Sequence, residues 1–407
     1  MRILQINKYY YVRGGAERYL FTISRLLEEA GHEVIPFSMR HERNEPTEYD
    51  RFFLPEVDYR RERPLAQRLR EGARVIWNDE AFRRLSELIA ETRPDVAHLH
   101  NIAHQLSGSV VAALAWAGVP AVQSLHDYKM VCPAYRRFRD GKPCDSCYRY
   151  RFWEAVRHSC VLESRSASLV AAVETGFYEA IGLYRKGIRL FHSPSRFLKE
   201  TMERWGVPGE RIIHFPNTID VTGIEPSAED DGSFLFLGRL SHEKGLPVLL
   251  DAAARLPSVP IVIAGEGPEK EPLQEEARRR GVTSVHFAGF LAGDALADAA
   301  RRCRAFLLPS EYDDNLPTVA LEAFAYGKPV IGAERGGIPE MVRPGETGLL
   351  FPPSDGEALA RAIRTLHEDG DLARELGRKA RLQIETTYGP AEHLPKLLDL
   401  YRRAMGL

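Results

Sequence analysis

The chain has no hydrophobic run long enough to cross a bilayer. Its most apolar stretch, Ser109 to Val122, is broken by Gly118 and Pro120 and falls short of the ~20 residues a spanning helix needs. The opening MRILQINKYY lacks the apolar core of a signal peptide. Cysteine is scarce, five in 407 residues, and without an export signal these read as thiols or metal ligands rather than disulfides. An excess of one charge is missing too: the net charge of −2 argues against a dedicated nucleic-acid binder. Low-complexity tracts and residue-level repeats are absent. The protein is therefore expected in the cytoplasm, at most peripheral on the inner face of the cell membrane.

What is present is the composition of a globular protein, 44% apolar and 28% charged, at a length that implies two or three domains. Short β-branched runs alternate with longer amphipathic stretches, the pattern of a parallel sheet covered by helices. RILQIN, HEVIPFS, DVAHLH, AVQSLHD and IRLFHSPS read as strands of a first half. SFLFLGRL, VPIVIAGEGP, VHFAGF, CRAFLLPS and KPVIGAE read as strands of a second. The Pro- and Asp-rich FPNTIDVTGIEPSAEDDG marks a boundary near residue 217. The expected fold class is α/β, two doubly wound Rossmann-like domains facing across a cleft. The first is residues 1–216, with a cysteine-containing insertion at about 130–165, and the second is residues 217–387; a terminal helix, 388–407, packs back on the first. In open parallel sheets ligands bind beyond the carboxyl ends of the strands.

Two stretches at such ends carry chemistry. In GRLSHEKG, Arg239 and Lys244 follow a strand directly, and two cations with glycine-flanked backbone suit a diphosphate, although a solvated turn is the commoner fate of such residues. In SEYDDNLPTVALEA, Asn315 reads as a helix cap, Pro317 as the first helical residue and Gly327 as the C′ residue. The helix would aim its first amides at an anion. Asp314 lies beside that point, and Glu322 shares a face with Val319 and Tyr326. A carboxylate on a partly apolar face needs a partner, and sugar hydroxyls are suitable ones. IAGEGP lacks the third glycine of a dinucleotide fingerprint, which argues against a nicotinamide cofactor.

Taken together, FLGRLSHEKGLPVLLDA, IAGEGP, FAGF and LPSEYDDNLPTVALEAFAYGKPVIGAERGGIPEMV resemble the family 4, group 1 type of retaining glycosyltransferases of the GT-B fold, known from bacterial polysaccharide and lipopolysaccharide synthesis. GGAERYLFTISRLLEEAGHEV and LHDY resemble the same family's N-terminal marks, and only residues 40–90 and 130–190 fall outside the likeness. The resemblance implies transfer of a sugar from a UDP- or GDP-type donor to a hydroxyl of a glycan or lipid-linked acceptor, with no metal or other cofactor required for catalysis. It implies that Arg239 and Lys244 bind the diphosphate and that Glu322 holds the ribose. It places Asp314, His126 and the backbone of Asn315, Leu316 and Thr318 near the donor sugar and phosphates, and lets the backbone at Gly14 and Gly15 approach the donor phosphate and acceptor. His126 as a general base is the weaker alternative. The pattern is broken once: Asp314 stands where the family carries glutamate, one methylene longer. The rivals are a silent nucleotide-sugar-binding subunit, a sugar-nucleotide epimerase of the same architecture, and a polysaccharide phosphorylase, for which no pyridoxal-binding lysine stands out.

Three features stand outside the likeness. Cys132, Cys144, Cys147 and Cys160 are spaced C-x11-C-x2-C-x12-C, which suits either a structural zinc site of four thiolates or four idle thiols, with an iron–sulfur cluster as a third option. His98 reads as a core histidine, and His100 with Asn101 as acceptor-side residues. The arginine-rich stretch from Arg60 to Arg84 reads as a solvated face or as a contact for anionic lipid.

Overall fold

The computed structural model describes residues 1–57 and 65–407, with side chains described outside 58–69. The chain divides into two compact units. One comprises Met1–Arg137, Cys144–Thr218 and His393–Leu407; the other comprises Ile219–Glu392 with Phe138–Pro143. No helix among the described residues is long and apolar enough to cross a membrane.

The first unit is built on β1 (Arg2–Ile6), β2 (Glu33–Phe37), β3 (Val96–Leu99), β4 (Ala121–Ser124), β7 (Leu190–Ser193) and β8 (Ile212–His214), while β5 (Phe138–Arg139) and β6 (Lys142–Pro143) form a separate antiparallel hairpin. The six strands pair in parallel in the order β2-β1-β3-β4-β7-β8. Strands β3 and β4 are buried along their whole length, as expected of parallel strands covered on both faces. Helices α1 (Gly15–Glu29), α2 (Leu65–Ile76), α3 (Asp79–Thr92), α4 (Ser109–Ala117), α5 (Trp153–Arg157), α6 (Arg165–Ile181), α7 (Leu183–Gly187) and α8 (Arg196–Arg204) belong to the connections. Side chains of Asn78, Ser164 and Ser195 cap α3, α6 and α8 by accepting from the amides of Ala81, Ala167 and Leu198. The edge strand β8 was not expected; its three residues are too few to show a period.

The second unit repeats the plan with β9 (Phe234–Leu237), β10 (Ile261–Ala264), β11 (Val285–Gly289), β12 (Ala305–Leu308), β13 (Val330–Ala333) and β14 (Gly348–Phe351), all parallel, in the order β11-β10-β9-β12-β13-β14. Its helices are α9 (Leu246–Ala254), α10 (Lys270–Arg279), α11 (Gly293–Arg302), α12 (Thr318–Ala325), α13 (Ile338–Met341), α14 (Gly356–Glu368) and α15 (Gly370–Gln383). The last helix, α16 (Pro390–Met405), returns to the first unit, where Leu397, Leu400, Tyr401 and Ala404 pack on Ile3, Tyr19, Ile23 and Val96.

In each unit the chain starts a sheet in its middle and later resumes on the other side. The direction changes between β1 and β3 in the first unit and between β9 and β12 in the second. At such a switch point neighbouring loops diverge and leave room for a ligand.

Candidate functional site

The loops after β9 and β12 meet at the second unit's switch point. The amides of Glu311 and Tyr312 both donate to the carbonyl of Glu243, at 3.0 and 3.4 Å. Gly245 permits this approach: it adopts φ +70°, and a Cβ there would stand 1.7 Å from the carbonyl oxygen of Pro309. Gly336, at φ +54°, does the same for the loop after β13, where a Cβ would lie 2.2 Å from the carbonyl oxygen of Asp314, and Gly337 N–H donates to that oxygen at 2.7 Å.

Within this frame Lys244 Nζ donates to Asp314 Oδ2 at 2.7 Å and to the Tyr312 hydroxyl at 3.2 Å, and it lies 4.9 Å from the centre of the Tyr312 ring. Burial alone would lower the lysine's pKa, but the charge of Asp314 and the two hydrogen bonds outweigh it and raise the pKa. Lys244 is thus a fixed cation. Tyr312 is held protonated by burial and by the neighbouring Asp314 charge. Arg239 is exposed, and among the described residues its guanidinium has no ion-pair partner.

Helix α12 starts one residue later than the sequence suggested. Pro317 is the flanking residue, with ψ 114°, and no side chain caps the helix. Asn315 is buried instead of capping, and Leu316 is buried in the core beside Ala320 and Phe324. Ala320 N–H donates to the Pro317 carbonyl at 2.9 Å, and the amides of Thr318 and Val319 remain available to a ligand. Glu322 is half-buried on the face with Val319 and Tyr326, and Gly327 follows the helix at φ +70°.

At the first unit's switch point Lys8 N–H donates to the carbonyl of Asn101 at 3.0 Å, and Asn101 N–H to Asn7 Oδ1 at 3.0 Å. Gly14 flanks α1, and Gly15 begins it. A cavity of about 950 Å³ including its mouth opens beyond β3 and β4, with Lys8, His100, Asn101, His126, Asp127 and Lys129 at its polar end. Ile102, Met130, Tyr178, Tyr184 and Trp205 form part of its apolar wall. Burial lowers the pKa of Lys8, against the charges of Asp127 and Glu17. Glu174 opposes these groups: burial alone would raise its pKa, but Lys129 at 2.7 Å and His104 at 3.1 Å hold it at about 2.

His126 Nε2 and His100 Nδ1 are 2.9 Å apart, and His100 Nε2 donates to Gln5 Oε1 at 2.8 Å, so Nδ1 of His100 accepts from His126. Burial lowers the His126 pKa to about 4, so the ring is neutral at pH 7 and a weak base. His98 is fully buried between Tyr401 and Ser124, each at 2.8 Å.

Lys8, Tyr312, Asp127, Lys129 and Glu174 escaped sequence reasoning. Tyr312 sits two residues before Asp314, and Asp127 directly follows His126. Only the three-dimensional pairing distinguishes them from ordinary loop residues.

The four cysteines of the insertion gather in the first unit. Burial raises the Cys147 pKa to about 12, and Cys132, Cys144 and Cys160 are near enough to add to the rise. The Cys132 sulfur accepts from the backbone amides of Arg137, Ala134 and Arg136. Among the described residues no three His, Cys, Asp or Glu side chains stand at metal-holding geometry. Of the stretch expected to meet anionic lipid, Arg60, Arg61 and Arg63 lie outside the described residues; Arg83 and Arg84 are paired with Glu87 and Glu80.

Residues 13–222 match the model of Glycosyltransferase Family 4, and residues 221–383 match that of Glycosyl transferases group 1. The chain belongs to glycosyltransferase family 4. This family 4 enzyme is 28% identical to a glycogen synthase of Mycobacterium tuberculosis, over 95% of this chain and 91% of that protein. It is 30% identical to a sulfoquinovosyl transferase of Arabidopsis thaliana, over 74% of this chain and 55% of that one. Among solved structures it resembles sucrose-phosphate synthase of Thermosynechococcus elongatus (TM-score 0.72, 20% identity, 100% and 99% of the two chains). It also resembles Anabaena HepE in complex with UDP-glucose (TM-score 0.67, 19% identity, 100% of each chain). The fold is that of the GT-B glycosyltransferases.

Proposed function

We propose that this glycosyltransferase moves a sugar, with retention of its anomeric configuration, from a UDP- or GDP-type donor to a hydroxyl of a glycan or lipid-linked acceptor in cell-surface glycan synthesis. The observation that carries this is the pair of cations at the second unit's switch point. Lys244 is locked by Asp314 and Tyr312, and Arg239 is exposed with no ion-pair partner among the described residues, in a unit whose α12 has no side-chain cap. Such a set offsets and hydrogen-bonds a diphosphate. Glu322 holds the ribose hydroxyls, Asp314 the donor sugar, and the backbone of Asn315, Leu316 and Thr318 the groups near the phosphates. His126 serves the donor sugar, the backbone at Gly14 and Gly15 the donor phosphate and acceptor, and the cavity of the first unit receives the acceptor. HepE, solved with UDP-glucose, supports a nucleotide sugar as donor.

In the reaction the bond from the sugar's anomeric carbon to the diphosphate breaks, and the electron pair leaves with the diphosphate. Arg239, Lys244 and the helix amides stabilise that developing charge. The acceptor oxygen bonds to the anomeric carbon on the same face, and its proton passes to a phosphate oxygen. The neutral, weakly basic His126 is not asked to take it.

A thermal-shift panel of UDP- and GDP-sugars tests the donor site. A matched donor at 100 times its Kd should stabilise the protein by about 2.7 kcal/mol, and Arg239→Ala should abolish the shift. No shift with any nucleotide sugar would remove the proposal. Retention is read from the anomeric proton of the product by NMR; inversion would overturn it.

A structural zinc held by Cys132, Cys144, Cys147 and Cys160 is proposed alongside. Its support is the convergence of the four thiols and the three amides aimed at Cys132. The ion would have to draw the sulfurs together. Metal analysis of protein purified without chelator should find zinc, and finding none would end the idea.

A further inference from the structure

Helix α6 has two unlike faces. Inward, Thr175, Tyr178 and Glu179 line the cavity of the first unit. Outward, Leu169, Val173, Phe177 and Ile181 follow one another at four-residue steps and are 53%, 46%, 41% and 38% exposed. Trp153 on α5, which packs on α6, and Leu162 just before it are exposed by 59% and 62%. A contiguous apolar surface of this kind marks an interaction site.

The charge around it is mostly positive, although Glu163 is exposed among the cations. From Arg149 to Arg189 there are seven cations and four acids. Two of the acids, Glu154 and Glu174, are buried, and a third, Glu179, is paired with Arg185. Arg157 and Lys186 are exposed, as are Arg70 and Arg74 on α2, a helix packed on α6; Arg151 is exposed but paired with Glu154, and Arg185 is paired with Glu179 at the cavity. A second copy of this chain would bring the same cations against these. An anionic bilayer supplies both the apolar interior for the stripe and the phosphates for its rim.

We propose that the outer face of α6 seats the first unit on an anionic lipid bilayer, so that the acceptor entering the cavity behind that helix is borne by lipid. The acceptor half of this rests on the transferase reading above; the seat does not.

The test is co-sedimentation with phosphatidylglycerol–phosphatidylcholine vesicles, using phosphatidylcholine alone as control. The wild type should bind the anionic vesicles and release as salt rises. The double variant Leu169→Glu with Phe177→Glu, both positions solvent-facing, should bind at least roughly tenfold more weakly while keeping its circular dichroism and its donor thermal shift. A wild type that stays in solution at low salt, or a variant that sediments equally, overturns the seat. So does a wild-type dimer that the variant splits, since the stripe would then be a protein contact. Radiolabelled nucleotide sugar offered with vesicles of total cell lipid should leave label in the organic phase, and less of it with the variant. Label confined to the aqueous phase overturns the lipid-borne acceptor. Vesicle binding without any donor shift would strike the transferase reading and leave the seat standing.

Discussion

At the scale of single residues, the contact between Lys244, Asp314 and Tyr312 decides how ready the proposed donor site is. An unheld lysine would have to give up side-chain freedom each time a diphosphate arrived; this one has already given it up to two oxygens. Lys244→Ala should weaken donor affinity roughly 10- to 100-fold, the loss of a charge-assisted hydrogen bond. Tyr312→Phe should cost roughly 3- to 10-fold by the smaller worth of a neutral partner, without change in unfolding midpoint. Calorimetric titration with the nucleoside diphosphate checks both, and an unchanged Kd in Tyr312→Phe would show that the hydroxyl does not position the lysine. Arg239, Lys244 and Asp314 drew notice through the family likeness, because charged loop residues at strand ends are by themselves more often a solvated turn. Tyr312 did not, since a tyrosine in a loop has many uses and only the 3.2 Å contact selects one. The carboxylate of Asp314 reaches Lys244 itself, so the shorter side chain is tied to the cation before any sugar is present.

Among the elements, long amphipathic helices announce themselves through periodicity and the buried strands as apolar, β-branched runs bounded by turns, and α1 and α9 lie where the pattern puts them. Strands β8 and β14, three and four residues long, escape because a short run beside a turn has no period to read. The start of α12 was misplaced by one residue: proline suits the first helical position and the flanking one almost equally, and here its ψ of 114° puts it outside. The terminal helix α16 is the element whose removal should be felt farthest in sequence. Leu400 is fully buried against the first unit, so Leu400→Ala should lower stability by about 2–5 kcal/mol. Urea unfolding measures it, and a loss under about 1 kcal/mol would mean that the helix is only loosely seated.

For the molecule as a whole, the gathering of His98, His100, His126, His192 and His393 could not be read from sequence, because the five come from distant segments. Burial pushes all of them below the ordinary histidine range, His126 and His393 to about 4. In the unfolded chain they titrate near 6.5. Between about pH 6.5 and 4 the unfolded chain therefore holds more protons than the folded one, and stability rises with pH. Thermal midpoints should be flat above pH 7 and fall steadily below about 6.5. The proton uptake on unfolding near pH 5.5 should drop by about one in His393→Phe. A midpoint unchanged from pH 7 to 5 would refute the neutral cluster. His393 and Tyr401 reach this cluster from the far side of the second unit in sequence: His393 bonds Tyr19 at 3.1 Å, and Tyr401 bonds His98 at 2.8 Å. The ribosome therefore delivers the first unit to Thr218 and then spends roughly 10 to 35 s on the next 175 residues at ordinary rates before His393 emerges. Through that interval Ile3, Tyr19 and Val96 have no α16 to cover them. The N-terminal unit is first in synthesis and last to close, which makes its unfinished face the natural place for a chaperone to hold.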